Sequence, residues 1–428
     1  AAMKILVVGS GGREHALCWK IAQSTLADEV FCAPGNGGIA GDAVCVGIPS
    51  DDIPSLVRFV KDNAIDLTVV GPEAPLTAGI ADAFQAERLP VFGPDKRASL
   101  LEGSKSFAKE MMRRASIPTA RSGVFSDVDQ ARSYIRDADY PLVVKADGLA
   151  AGKGVIVTSS KEEALMALDE VMVSRAFGDA GSSVVIEERL TGEEASFIAV
   201  CDGEHIIPLA SSQDHKPVFD NDRGPNTGGM GAYSPAPVLD EASYGDVLEK
   251  ILYPLVNVMK REGITYRGVI YAGLMMTDSG PYVLEFNARM GDPETQPLLM
   301  RLKSDIVPLL AETARGGSIR NMDLSWEDGP SVCVVMASGG YPGTYEKGKA
   351  IEGINDAEKI PGVKVFHAGT RLLDSRPVTA GGRVLGVTAL GDDLKSTIDK
   401  AYRAVSCIAF EGMHYRRDIG HKALARLS

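Results

Sequence analysis

The stretch PLVVKADGLAAGKGVIVTSS, residues 141–160, places glycines 148, 152 and 154 and lysines 145 and 153 between two runs rich in β-branched residues. It is not a Walker loop. The interval from Gly148 to Gly152-Lys153 is one residue short, and Gly154 stands where a magnesium-binding Ser or Thr belongs. The pattern instead predicts two strands around a Gly-rich loop, followed by a helix from Lys161 to about Ser174 and a strand at SVVIEERL (183–190). Residues of about 120–190 therefore form a compact α+β unit inserted into a larger one. Backbone N–H groups of such a loop, with strand-borne Lys145, could cover a triphosphate; a plain Gly-rich hairpin is the alternative.

Upstream, KILVVG (4–9), a helix from Arg13 to Ser24, EVFCAPG (29–35), DLTVVGPE (66–73) and VFGP (91–94) alternate as β-α-β. That predicts a small doubly wound parallel sheet over residues 1–103. Downstream, EASFIAVCDGEHIIPLAS (194–211) holds two strands about the turn Asp202-Gly203, and VIYAGLMM (269–276) precedes YVLEFNARMGD (282–292). These belong to a unit spanning 104–325. SVCVVMAS, VKVFHAG, GRVLGVTALG and a last helix through DLKSTIDKAYRAVSCI predict a small β-rich closing domain, 326–428.

A charged fraction of 24% and a hydrophobic fraction of 45% are those of an ordinary folded chain, and a net charge of -12 disfavours nucleic acid and anionic membranes as partners. Six scattered cysteines without CxxC read as buried thiols of a reducing compartment, and no apolar run reaches membrane-helix length, so the cytoplasm is expected. The histidines lack metal spacing, and no Ser–His–Asp or Cys–His arrangement is defensible.

In YVLEFNARMGD, strand periodicity puts Val283, Glu285, Asn287 and Arg289 on one face and Leu284 and Phe286 on the other. Three polar groups in a row beside Asp292 and Glu294 suit a hard divalent cation and an anion that it touches. GSGGREHA (9–16) opens the first helix, where free N–H groups favour an anion; a merely tight turn is the alternative, and a dinucleotide fold fits poorly because Glu14 stands where GxGxxG needs glycine. Residues 211–235, with Asp214, His215 and Lys216, form the longest irregular stretch, and a loop of that length is usually functional.

GSGGREHA, GPEAPL (71–76), KADGLAAGKGV, EERLTGEEAS (187–196), QDHK with GPNTGGMGAYSPAP, and EFNARMGDPETQ occur in this order. Together they resemble the phosphoribosylamine–glycine ligase family of the ATP-grasp superfamily, and the resemblance continues through GYPGTYEKGKAI (340–351) and GGRVLGVTA (381–389). It implies an ATP-dependent ligase of purine synthesis with a lid-bearing ATP-grasp core, using magnesium or manganese and taking ATP, glycine and 5-phosphoribosylamine. By that resemblance Lys105 and Lys145 meet the phosphates under Gly148, Gly152 and Gly154. Glu187 and the Leu190 backbone hold adenine, with Glu193 or Glu194 near the ribose. Glu285 and Asn287 bind metal, and Arg289 serves the transferring phosphoryl group. Asp214 and Lys216 hold the phosphoribosylamine, with Gly11, Gly12 and Arg13 near its phosphate; Glu73, Asn226 and Asp292 complete the expected substrate set. Another ATP-grasp carboxylate–amine ligase is the nearest alternative. One departure stands out: Pro217-Val218-Phe219 follows QDHK where family members often carry a basic residue.

Overall fold

The computed structural model describes residues 2–151 and 153–428, so Gly152 of the glycine loop lies outside the described residues. Near the N-terminus, strands Val44–Cys45, Ala27–Pro34, Met3–Gly9, Leu67–Val70 and Val91–Phe92 lie side by side in that order, all parallel. The strand Met3–Gly9 is apolar throughout because both of its faces are covered. Leu6 and Val8 pack on Leu56, Val60, Ile80 and Phe84 from the helices Ile53–Asp62 and Ile80–Ala86. Ile5 and Val7 pack on Ala16, Leu17 and Ile21 of the helix Gly12–Ala22, and also on Leu298, Leu299, Leu309 and Leu310. The helices Thr295–Arg301 and Val307–Ala314 thus come back from far along the chain to complete this layer.

The same two helices touch a second sheet. Strands Ile206–Pro208, Glu193–Cys201, Gly268–Thr277 and Gly280–Asn287 are antiparallel neighbours in that order. Alternate residues of Glu193–Cys201 divide between two cores: Ile198 and Val200 face the first sheet, whereas Phe197 and Ala199 face the helix Tyr253–Arg261. The inserted unit is a third, antiparallel sheet, ordered Ser122–Phe125, Val184–Glu188, Leu142–Ala146, Val155–Val157. Leu142, Val144, Ala146, Val184 and Ile186 pack beneath the helices Val128–Asp137 and Lys161–Leu168. Period-two alternation then turns Val143, Lys145, Val185 and Glu187 toward a cleft.

Two expectations are corrected here. Strand Gly280–Asn287 does not keep one alternation: Glu285 pairs with Gly273 and Val283 with Leu274, which leaves Leu284 without a cross-strand partner. This extra residue places Val283 and Phe286 together in the core and leaves Leu284, Glu285 and Asn287 lining the cleft. Residues 211–235 are not a free loop either. Gln213–Asp214 and Gly231–Ser234 become the outer strands of the C-terminal sheet, ordered onward through Ser331–Ala337, Arg383–Leu390 and Val363–His367. Pro217–Phe219 pairs with Arg223–Asn226 as a small hairpin. The helix Leu394–Ser406 covers the C-terminal sheet through Ile398, Ala401 and Val405. No helix of the described residues is long and apolar enough to cross a membrane.

Candidate active site

The cleft lies where the four sheets and the first helix meet. On the lid side, the helix Lys105–Arg114 starts at Ser104, whose hydroxyl accepts the Phe107 N–H at 3.2 Å. Lys105, its first residue, donates from Nζ to the Ala146 and Gly148 carbonyls at 2.9 and 3.4 Å. Burial pulls its pKa down against the attraction of Glu285. Lys145 Nζ donates to the Leu284 carbonyl at 3.0 Å, an acceptor that the irregular strand pairing leaves accessible, and also pairs with Glu187. Glu187 is 2% exposed and has a second cation, Lys109 Nζ, at 2.7 Å from Oε2. Burial pushes this carboxyl up, but Lys145 and Lys109 together outweigh it and hold it below its usual range. The Lys109 contact is an ion pair off the hydrogen-bonding direction, so Oε2 retains an unfilled acceptor. Just beyond, Glu188 and Arg189 give their N–H groups to the Arg121 and Pro141 carbonyls at 2.8 Å each, whereas the Leu190 N–H has no partner among the described residues. Gly148 donates its N–H to Ala180 O at 3.2 Å, and Gly154 accepts from Ala146 N at 2.8 Å, so the loop's roots are tied down. Glu193 pairs with Arg426 of the short C-terminal helix, and Glu194 stands 3.7 Å from Lys216.

On the opposite wall Arg289 lies past the strand's end. Its Nη2 reaches Glu102 Oε2 at 3.1 Å and its Nε faces Glu73 Oε2 at 3.5 Å without a hydrogen bond. Burial opposes the charge, yet Glu102 and Glu73 overcome it and raise the pKa. Glu102 is itself raised by burial, although it accepts the Ala288 N–H at 2.8 Å. Glu285 makes no ion pair within 4 Å and no side-chain hydrogen bond among the described residues. Burial raises its pKa, but Lys216, Lys145, Lys105 and Arg289 acting from a distance bring it below the ordinary value. Asn287 lies two residues along on the same wall. Asp214 is pushed up to about 7, chiefly by burial and then by Glu294, Glu194 and Glu285, with Lys216 opposing from 4.0 Å.

The first helix carries an unforeseen arrangement. Glu14 is buried and accepts the Gly11 N–H at 2.9 Å, while gripping the Arg13 Nε. A Cβ at Gly9 would lie 2.4 Å from Glu14 Cγ, and one at Gly71 would lie 2.2 Å from its Oε2. Gly9 has φ +134 as well, so glycine is required there both by space and by conformation. The Glu14 side chain therefore fills the crevice between the ends of two adjacent parallel strands, where a doubly wound sheet would receive a dinucleotide. Asp292 accepts the Arg13 N–H at 3.4 Å, and Arg13 Nη1 donates to the Met290 carbonyl at 3.2 Å. Gly12 packs on Gln296, whose amide donates to Asp292 at 2.9 Å. The anion-seeking N–H groups of Gly11 and Arg13 thus already face two of the protein's own carboxylates.

Family profiles match the chain in three consecutive parts: the phosphoribosylglycinamide synthetase N domain over residues 3–102, its ATP-grasp (A) domain over 103–295 and its C domain over 331–422. The chain belongs to the phosphoribosylglycinamide synthetase family. A curated phosphoribosylamine–glycine ligase of Rhodopirellula baltica is 52% identical over 98% of each chain, and one of Vibrio cholerae 51% identical over 99% of each. A phosphoribosylamine–glycine ligase structure from Thermotoga maritima superposes with a TM-score of 0.84 at 36% identity, covering 97% of this chain and 100% of that one. The biotin carboxylase domain of Hydrogenobacter thermophilus 2-oxoglutarate carboxylase, whose structure holds MgADP and bicarbonate, has a TM-score of 0.73 at 18% identity over 97% and 92% of the two chains. At that identity the likeness is one of fold alone.

Within this phosphoribosylglycinamide synthetase chain, several cleft residues escaped the sequence reading. Lys109 follows Lys105 by one helical turn, a spacing that signals a shared face. Glu102 sits in the short helix Leu100–Gly103, and only the pairing with Arg289 gives it meaning. Arg383, to which no role was given, enters from the C-terminal sheet and lines the same cleft as the expected Asn226, which ends its short strand. After QDHK, Val218 is buried with Met230 and Ala337, and the Pro217 carbonyl accepts from the fully buried Arg416 at 3.1 Å. A guanidinium thus reaches the point of departure from a segment far later in the chain.

Proposed function

We propose that the protein joins glycine to 5-phosphoribosylamine, converting ATP to ADP and phosphate and yielding glycinamide ribonucleotide for purine synthesis. A glycine carboxylate oxygen attacks the γ-phosphorus of ATP, and the bond to the β–γ bridging oxygen breaks to release ADP. The amine nitrogen of 5-phosphoribosylamine then attacks the glycyl phosphate carbonyl, inorganic phosphate leaves, and one amine proton is lost. The observation that carries this reading is the convergence of Lys105, Lys145 and Arg289 on one cleft with Glu285, in a chain half identical along its whole length to phosphoribosylamine–glycine ligases. Phosphoryl transfer asks mainly for charge and position, which fixed cations supply.

We read residues 1–103, 104–325 and 326–428 as the three functional units, the lid being about 120–190, and the cytoplasm as their setting. Lys105 and Lys145 would face the triphosphate under the 148–154 loop. Leu190 would offer its free backbone N–H to adenine and Glu187 Oε2 its unfilled acceptor, with Glu193 by the ribose. Arg289, with its buried Nε donating to nothing, would meet the transferring group, and Glu73 would orient it. Asp214, Lys216, Asn226 and Asp292 would line the ribosylamine. Glu285 and Asn287 fit a magnesium or manganese ion: an ionised carboxylate without a partner and an amide oxygen on one wall are hard donors. When bound, such an ion would neutralise phosphate charge.

With ATP, magnesium, glycine and freshly generated 5-phosphoribosylamine, ADP release requiring both substrates is expected. Release driven by a different acid or amine would reassign the protein to a sister ligase. Dinucleotide-dependent oxidoreduction, the remaining alternative, is disfavoured by Glu14 filling the crevice.

A further inference from the structure

The ribosylamine substrate carries a dianionic phosphate, and the turn at Gly11–Arg13 that best resembles an anion site is already neutralised from within. Gly11 N–H faces Glu14, Arg13 N–H faces Asp292, and the Arg13 guanidinium is buried against Glu14 and the Met290 carbonyl. The other cations of that part of the cleft are engaged as well. Lys216 stands between Glu194 and Asp214, Lys422 pairs with Asp222, and Arg289 is flanked by Glu73 and Glu102.

Arg383 differs. It begins the strand Arg383–Leu390 of the C-terminal sheet and borders the cleft. Its Nη1 donates to the Asp292 and Gly229 carbonyls at 2.8 and 3.4 Å, which fixes the plane of the guanidinium. Its Nη2 comes no closer than 3.9 Å to Asp292 Oδ2, and its Nε has no partner among the described residues. The Asp292 carboxylate is meanwhile occupied by Gln296 and the Arg13 N–H. One edge of the fork is therefore locked while the other, Nε and Nη2, stays unfilled in a side chain 23% exposed. A guanidinium held this way presents two parallel N–H donors, the arrangement that binds two oxygens of one phosphate. Gly228 makes room for it, since a Cβ there would come within 2.8 Å of Arg383 Cζ. The Gly228 N–H in turn donates to the Tyr341 hydroxyl at 3.2 Å, which fixes the turn under the guanidinium.

We infer that Arg383 is the phosphate anchor of the ribosylamine subsite, binding the 5-phosphate through Nε and Nη2 on the C-terminal wall of the cleft. This rests on the ligase reading above and names which residue would select the phosphorylated amine over its dephosphorylated counterpart.

Three reactions test it on wild type, Arg383→Gln and Arg383→Lys: turnover with 5-phosphoribosylamine, turnover with ribosylamine lacking the phosphate, and trapping of the activated glycine by hydroxylamine. Arg383→Gln should lose about 100-fold in kcat/KM for the phosphorylated amine, as one charge-assisted fork is removed. Its ribosylamine and hydroxylamine rates should be unchanged, and Arg383→Lys should recover only part of the loss, because a point charge lacks the fork. Ribose 5-phosphate should inhibit wild type far better than Arg383→Gln. Equal losses with both amines, or undiminished use of 5-phosphoribosylamine, would overturn the assignment. Wild type that traps hydroxylamine yet shows no preference for the phosphorylated amine would instead overturn the ligase reading.

Discussion

Arg289 is ion-paired in the cleft and is proposed to serve the chemistry as well, and Arg289→Gln, alone and with Glu102→Gln, separates the two contributions. In the native protein its guanidinium lies 3.1 Å from Glu102, a carboxylate 7% exposed, and 3.5 Å from the more solvated Glu73. Removing the cation strands the Glu102 charge away from water, and breaking a buried pair from one side costs about 3–5 kcal/mol. Glu73 adds little to this, because water screens it. Removing both charges leaves no buried ion, so the double variant should recover most of that stability. Burial already raises the Glu102 pKa, and losing Arg289 raises it further. A carboxyl whose folded pKa exceeds its unfolded one favours the folded state fully below the unfolded value, and that contribution disappears as pH rises through the folded value. The single variant should therefore fall furthest behind wild type at alkaline pH and draw closer on acidification. Urea unfolding followed by the fluorescence of Trp19 and Trp326 measures this, at pH 8 and pH 6. Turnover should fall roughly 100- to 1000-fold in both variants, the usual consequence of losing one donor to developing charge. A double variant as unstable as the single one would refute the electrostatic reasoning, and a folded Arg289→Gln enzyme with ordinary ADP release would refute the assigned chemistry.

Glu285→Gln should shift the divalent-metal titration of activity to higher concentration while glycine affinity holds; an unmoved titration would remove Glu285 from the metal site. Glu187→Gln leaves Lys109 and Lys145 facing a neutral amide in a buried place, so both stability and ATP affinity should decline, with calorimetry of nucleotide binding as the check. His367 is held down at about 3 by burial, against the first helix's His15. A histidine with a depressed folded pKa supports the fold fully above its unfolded value of roughly 6.5 and loses that support as pH falls toward the folded one, about 2 kcal/mol by pH 5. A His367→Asn protein should show a correspondingly shallower decline in stability over pH 6.5 to 5.

Lys145 and Glu187 were legible because their strands keep a strict two-residue period, so the side chains opposite a buried Val144 or Ile186 had to face outward. The reading of YVLEFNARMGD broke at Leu284, where one unpaired residue reverses every side chain before it. Nothing in the local sequence marks that slip, which depends on how the strand meets Gly273. GSGGREHA was recognisable as a turn at a helix start. Its occupant was hidden because Glu14, the residue that spoils a dinucleotide signature, fills the vacancy itself. Residues 211–235 read as a loop because their hydrogen-bonding partners, Ser331–Ala337, lie so much later in the chain. Arg383 sat in a quoted motif, but its duty depends on Gly228, Gly229 and Asp292 gathering around it, and only the folded chain brings those together.

The strand Gly231–Ser234 pairs along its full length with the strand Ser331–Ala337, from Gly231 opposite Val334 to Ser234 opposite Ser331. Severing the polypeptide near residue 326 would consequently give two fragments, each bearing a raw sheet margin, and neither a self-sufficient half. Co-expressed pieces would have to find one another through that seam before either could regain a working shape. The same stitching makes the cut a ready switch for complementation assays, since reassembly and restored turnover would be a single event.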